Sequence, residues 1–137
     1  MLKPNYTRLD NVYSESRHSC SLTMDNQCAI RVSRALIKAG WPKNTFRGAS
    51  YTGKVCPHGF ARGAQDLAAF LSRELGFRTK GWSRPGSVPA GASGTKGIIC
   101  FMNIPGYGGQ GHIDLWDGQA TRTGSYWNSE TIWLWSL

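Results

Sequence analysis

The sequence contains no long hydrophobic run. Its longest apolar stretch, Gly97 to Met102, is far too short to cross a membrane, so we expect no membrane insertion. The first residues also lack the apolar core of an ordinary signal peptide, and we therefore expect none. No repeat and no low-complexity tract is present. The 137 residues are 40% apolar and include six Trp, a globular composition that predicts one domain over residues 1–137.

Acidic residues are scarce. Eight Asp and Glu stand against sixteen Lys and Arg, which gives a net charge of +8. Such a surplus favours an anionic partner, such as nucleic acid, acidic lipid or a carboxylate-bearing cell-wall polymer. The basic residues are scattered, however, without a run of five and without a basic-aromatic RNA-binding signature. We attribute most of the charge to solubility and weak steering, and we expect no nucleic-acid ligand.

Cysteines are few, and none of them has the paired close spacing of a zinc ribbon: Cys20, Cys28, Cys56 and Cys100. A metal site built from Cys56-Pro57-His58 and His112-Ile113-Asp114 fits no common zinc motif, so we expect no metal and no other cofactor. Free cytosolic thiols are the simplest interpretation, with one disulfide possible after export. If Cys28 is reactive, three thiols remain, and at most one disulfide forms among them.

A helix is predicted from Cys28 to Ala39, with Asp25 or Asn26 as its N-cap and Gly40 after its end. Its apolar stripe comprises Val32, Ala35, Leu36 and Ala39, and Cys28 continues that stripe. We therefore expect Cys28 to face inward from the first turn. There the helix macrodipole favours a thiolate.

The remaining pattern predicts an α+β fold, with the cysteine-bearing helix packed on an antiparallel sheet. Residues 1–24 are expected to form an irregular arm, and residues 41–61 a loop. The predicted elements are a helix from Ala64 to Leu75 and strands at 97–102, 112–116, 119–123 and 131–135. The third of these strands follows a type I′ turn at Asp117-Gly118. Residues 78–96 are expected to be a loop on the substrate side. At least two of four tryptophans are expected in the core: Trp116, Trp127, Trp133 and Trp135.

The thiol of Cys28 precedes the imidazole of His112 in the chain, which is the order of papain-like cysteine hydrolases. Each residue also has a structural alternative, because Cys is often simply buried and His often simply hydrogen-bonded. The group that orients the imidazole is open. The hairpin register places Thr123 opposite His112, whereas Asp114 lies two residues along the same face, a poor offset for a direct bond. Two weaker candidates are Asp117, which we expect to be a turn residue, and Asn128.

Three segments carry a family resemblance: Asn26–Ser33 (NQCAIRVS), Gly111–Gly118 (GHIDLWDG) and the C-terminal Ser125–Trp127 with Ile132–Trp135. Together they resemble the fourth family of type VI secretion amidase effectors. The resemblance implies a papain-like, NlpC-type fold and cleavage of the peptidoglycan stem peptide between D-glutamate and meso-diaminopimelate. It also implies delivery by a secretion apparatus component, action in the periplasm of a rival Gram-negative cell, and a cognate immunity protein.

By the same resemblance, Cys28 is the expected nucleophile and His112 the expected base. The family's acidic third residue falls at Thr123 in this chain, so the chain departs from the family pattern, and Asp114 is the alternative. We expect the Cys28 backbone N–H, helped by Asn26, to stabilise the oxyanion. Two other functions stay open. One is deamidation or transglutamination of a protein, and the other is a non-enzymatic basic module that binds cell wall or nucleic acid.

Overall fold

A computed structural model describes residues 3–15, 27–76 and 78–137. Its helices are α1 (Tyr6–Val12), α2 (Cys28–Lys38) and α3 (Ala64–Glu74), with a 3₁₀ turn at Thr45–Arg47. Its strands are β1 (Lys80–Trp82), β2 (Gly97–Met102), β3 (His112–Trp116) and β4 (Thr131–Ser136). None of the described helices is long and apolar enough to span a membrane. The predicted α+β architecture is confirmed.

The four strands form one antiparallel sheet in the order β1-β4-β2-β3. The strand β2 lies inside the sheet and is buried at every position, as its continuous apolar sequence predicts. The strand β3 pairs with β2 through Phe101 opposite His112 and Cys100 opposite Ile113. Because β3 is the last strand in this order, it is an edge strand, and its first residues lie at the edge of the sheet.

Side chains of alternate residues divide the interior into two cores, one on each face of the sheet. The larger core includes Ile113 and Leu115 of β3 and the apolar faces of the three helices. The smaller core lies on the opposite face and includes Phe101 and Trp116, covered by the loops that carry Tyr107 and Tyr126. His112 and Asp114 alternate with Ile113 and Leu115. They therefore belong to the side of β3 that faces away from the helices.

Two helices begin and end within one residue of their predicted bounds, since their apolar stripes and flanking glycines are strong signals. The proposed N-caps Asp25 and Asn26 lie outside the described residues. The buried tryptophan prediction is also confirmed, because Trp116 and Trp135 are almost completely inaccessible to solvent.

Three expectations are wrong. Residues 6–12 of the supposed irregular arm form α1, where Asn5 Oδ1 accepts a hydrogen bond from Arg8 N at 3.1 Å. A helix of seven residues is held by tertiary burial, here of Tyr6 and Leu9, and not by its own propensity. The supposed loop at 78–96 contains β1, whose three residues are too few to show alternation.

The third error concerns the hairpin. The Asp117 carboxylate accepts hydrogen bonds from the backbone N–H groups of Gln119 and Ala120, both at 2.8 Å. Asp117 N also donates to Ala120 O. The turn, which is stabilised by the Asp117 side chain, pairs Trp116 with Thr121 in an isolated bridge. It is therefore longer than the predicted type I′ turn, which has only Asp117 and Gly118 between the paired residues. No strand is formed over residues 119–123.

Candidate active site

Cys28 is the first residue of α2, and only 3% of its surface is exposed, which confirms that it faces inward. Its Sγ lies 3.9 Å from the carbonyl oxygen of Gly111, the residue that precedes β3. The N-terminus of α2 is thereby brought to the start of the edge strand. The thiol therefore lies at the positive end of the α2 macrodipole.

His112 begins β3 and is buried among aromatic rings. Its ring stacks on Phe101 at a centroid distance of 6.3 Å and meets Tyr126 edge-on at 5.4 Å. The Nε2 atom lies 2.9 Å from Oδ2 of Asp114. The Cys28 thiol is a further hydrogen-bond partner of the imidazole. With Nε2 directed to the carboxylate, Nδ1 is the ring nitrogen left for the thiol.

The direct contact between His112 and Asp114 corrects the expectation that their offset is poor for a bond. Residues two apart on a strand share a face and are separated by roughly 6.6 Å along the chain. An imidazole and a carboxylate that lean toward each other close that gap. Asp114 is completely buried, so its charge requires hydrogen-bond donors around it.

Thr123 supplies two of these donors. Its backbone N–H and its hydroxyl both donate to Asp114 Oδ2, at 2.9 and 2.8 Å, while Leu115 N donates to Oδ1 at 2.8 Å. The Thr123 hydroxyl oxygen also lies 3.2 Å from His112 Nε2. The predicted proximity of Thr123 to His112 is thus confirmed, although not through the predicted strand pairing.

The pKa of His112 is raised from 6.5 to about 9. Burial alone would lower this pKa, because it disfavours the charged imidazolium. Hydrogen bonds to Asp114 and Cys28, together with the negative charges of the carboxylate and the thiolate, outweigh burial. The raised pKa keeps the imidazole protonated at neutral pH.

The glycine-rich segment of residues 103–111 and the aromatic pair Tyr107 and Tyr126 border the arrangement of Cys28, His112 and Asp114. Sequence analysis did not assign either of them to the site. Tyr107 and Tyr126 are in contact at 5.8 Å. The pKa of Tyr107 is raised by burial and by the nearby Cys28. Gln110 fixes the same segment to α3, since its Oε1 accepts from Asp66 N and its Nε2 donates to Asp66 Oδ2. The position of 103–111 immediately before His112 was the available signal.

Other candidates lie elsewhere. Asn26 is outside the described residues. Asn128 is exposed, and Asp117 is a turn residue, as favoured from the sequence. Cys56 is disulfide-bonded, so the one disulfide that the sequence left possible is present in place of uniformly free thiols. Among residues 3–15, 27–76 and 78–137, no three potential metal-ligating side chains gather in one place.

The sequence profile of one family matches residues 24–135. That family is described as "Type VI secretion system (T6SS), amidase effector protein 4" (Tae4). The chain belongs to this family. Membership makes the protein an amidase effector, and therefore a hydrolase, and supports an antibacterial peptidoglycan amidase. None of the curated protein sequences matches the chain.

Solved Tae4 structures have the same fold. Tae4 from Salmonella typhimurium, in an effector–immunity structure with Tai4, is 20% identical, with 99% of each chain covered and a TM-score of 0.78. Tae4 from Enterobacter cloacae is 22% identical, with 99% of this chain and 98% of that chain covered and a TM-score of 0.73. The expected Tae4-type, papain-like α+β fold is confirmed by these similarities.

Proposed function

We propose that the protein cleaves the bond between D-glutamate and meso-diaminopimelate in the peptidoglycan stem peptide, with Cys28 as nucleophile and His112 as general acid and base. The observation that carries this proposal is the hydrogen-bonded series Cys28–His112–Asp114. A thiol at a helix N-terminus, an imidazole protonated at neutral pH and a buried carboxylate together are suited to thiol-dependent acyl transfer.

In the first half-reaction, the Cys28 thiolate attacks the amide carbonyl carbon and forms a tetrahedral oxyanion. The backbone N–H of Cys28 stabilises this oxyanion, and Asn26 is its proposed second donor. The C–N bond breaks when the imidazolium of His112 gives its proton to the leaving amine. A thioester remains on Cys28, and His112 is neutral.

In the second half-reaction, neutral His112 takes a proton from water as the water oxygen attacks the thioester. The C–S bond then breaks, and the enzyme returns to the thiolate–imidazolium form. Asp114 acts through His112 in both steps: it accepts Nε2–H, fixes the ring orientation and stabilises the imidazolium. Thr123 holds the carboxylate in place.

We further propose that a type VI apparatus component carries the protein, that it acts in the periplasm of a Gram-negative target cell, and that a cognate immunity protein blocks its cleft. Solved complexes of Tae4 with Tai4 support the existence of an immunity partner by analogy. A net charge of +8 suits attraction to a carboxylate-rich wall polymer.

Digestion of purified sacculi followed by mass analysis of the released muropeptides tests the reaction. The wild type is expected to release new amines by adding water to the D-glutamate–diaminopimelate bond, and Cys28→Ala is expected to abolish release. Cys100→Ala is the matched control, because this buried thiol donates to Ala64 O and burial raises its pKa well above the ordinary value. Full activity of Cys28→Ala, or release of fragments cut at another bond, would contradict the proposal.

A further inference from the structure

A cavity of about 330 Å³ lies between the glycine-rich segment before His112 and the start of α3. Its walls include Gly108, Gly109 and Gln110 on one side and Ala64 on the other. Gln110 is the chain neighbour of Gly111, whose carbonyl oxygen contacts Cys28 Sγ. One wall of the cavity is therefore adjacent in the chain to Gly111, the residue whose carbonyl oxygen contacts the proposed nucleophile.

Two cations, Lys54 and Arg62, line this cavity. They lie side by side on a small hairpin, because Arg62 N donates to Lys54 O at 3.0 Å and the inner pair Val55 and Ala61 forms a bridge. The hairpin is fixed to the cysteine-bearing helix, since Ser33 Oγ of α2 accepts from Ala61 N at 3.0 Å. The backbone that carries the two cationic residues is thus fixed relative to α2.

The cavity is lined by two cations and one acid, so its net charge is positive. Neither side chain forms an ion pair within the described part of the chain. The one acid of the cavity, Asp66, uses its carboxylate Oδ2 for Gln110 Nε2. Like charges on neighbouring strands repel one another, and the positive end of α3 adds to the same potential. A bound anion would relieve this repulsion.

On the side of the glycine-rich segment, the cavity wall packs tightly against the residue that precedes α3. A Cβ atom added to Gly63 would lie 2.1 Å from Gln110 Oε1, so glycine at this position lets the Gln110 side chain reach Asp66. The double hydrogen bond between Gln110 and Asp66 holds the segment next to the two cations. The cavity wall next to the two cations is consequently formed before a ligand arrives, which reduces the entropic cost of binding.

We propose that Lys54 and Arg62 form a subsite for a carboxylate of the stem peptide, and that they determine specificity at the catalytic cleft. This inference rests on the proposed function. The D-glutamate–diaminopimelate unit offers two candidate carboxylates, the α-carboxylate of the γ-linked D-glutamate and the free carboxylate of the diaminopimelate side chain. Both have the same chemistry toward a lysine ammonium and an arginine guanidinium.

The test uses L-Ala–γ-D-Glu–meso-diaminopimelate whose C-terminal carboxyl group is amidated, so that only these two carboxylates remain, and two analogues, each with one of the two converted to a carboxamide. Calorimetric Kd values are measured in a Cys28→Ala background, and KM and kcat in the active enzyme. The variant Lys54→Met/Arg62→Gln is expected to raise Kd and KM for the parent peptide by about tenfold, with little change in kcat. The control Lys38→Met/Lys43→Gln removes two charges from another cavity and is expected to change neither.

The analogues show which carboxylate is bound. The wild type is expected to bind one carboxamide analogue about tenfold more weakly, and the double variant to be insensitive to that same change. Equal losses on all three peptides, or no difference between the variant and its charge-matched control, would overturn the subsite. Because binding is measured without turnover, failure of the proposed cleavage is distinguishable: the wild type would then release no product, whatever the binding results.

Discussion

Asp114 Oδ2 lies 2.9 Å from His112 Nε2, although both residues belong to the same strand and only Ile113 separates them. The carboxylate and the imidazole share one face of β3, while Ile113 packs into the helical core on the other face. A single five-residue strand therefore holds both the proposed base and the carboxylate proposed to orient it. The burial of Asp114 is maintained by donors from Leu115 and Thr123.

Replacement of Asp114 tests its role as a positioning residue. Asp114→Ala is expected to lower kcat/KM on muropeptides by about a hundredfold or more, because the imidazole loses both its orientation and its countercharge. Asp114→Asn is expected to lose less, since an amide oxygen still accepts Nε2–H. Glu130→Gln is the control, because it removes an exposed carboxylate whose ion-pair partner among the described residues is Arg84. A wild-type rate in Asp114→Ala would contradict this role.

Thr123 provides a second, smaller test. Thr123→Val keeps the side-chain size but removes the hydroxyl that donates to Asp114, and we expect kcat/KM to fall by about three- to tenfold. Thr123→Ser retains the hydroxyl and is expected to remain close to wild type. Steady-state kinetics on the same muropeptide distinguishes the two variants. A loss in Thr123→Ser together with wild-type activity in Thr123→Val would instead indicate that packing of the Thr123 methyl group, and not its hydroxyl, matters.

The position of Thr123 also allows a transfer of the acid. In the double variant Asp114→Ala/Thr123→Asp, the carboxylate returns to the place where the family resemblance puts its acidic residue. We expect this variant to recover part of the activity that Asp114→Ala loses, because Thr123 Oγ1 is already within 3.2 Å of His112 Nε2. Activity no higher than that of Asp114→Ala would show that the backbone at 123 cannot present a carboxylate to the ring.

The raised pKa of His112 makes stability depend on pH. Since the pKa rises from 6.5 to about 9 on folding, protonated His112 contributes stability that is fully present below pH 6.5. This contribution is lost as the pH rises through about 9. We expect the Tm of the wild type to fall across this interval, and the fall to be smaller in His112→Asn. His58→Asn, which changes an exposed imidazole, should retain the wild-type slope.

Elements with long, regular patterns could be predicted from the sequence, whereas the geometry of the site could be predicted only in part. The stripe of α2 and the apolar run of β2 each repeat over enough residues to determine their type. The His112–Asp114 contact could not be foreseen, because it depends on side-chain rotamers on a strand. The hairpin register was predicted wrongly, because the turn at Asp117 is not the expected two-residue turn. In the observed turn, the Asp117 carboxylate accepts hydrogen bonds from two backbone N–H groups.

Gly97 offers a test of packing away from the chemistry. It begins the central strand β2 between β3 and β4, and a Cβ atom added there would lie 1.9 Å from the carbonyl oxygen of Trp135. Backbone cannot yield as a flexible side chain can, so Gly97→Ala is expected to lower the free energy of unfolding by about 2–4 kcal/mol. Gly108→Ala is the control, because a Cβ atom there meets nothing within 4 Å. Its effect is expected to stay within about 0.5 kcal/mol. Urea unfolding followed by tryptophan fluorescence measures both variants, and equal stabilities would show that β2 and β4 can separate without cost at this position.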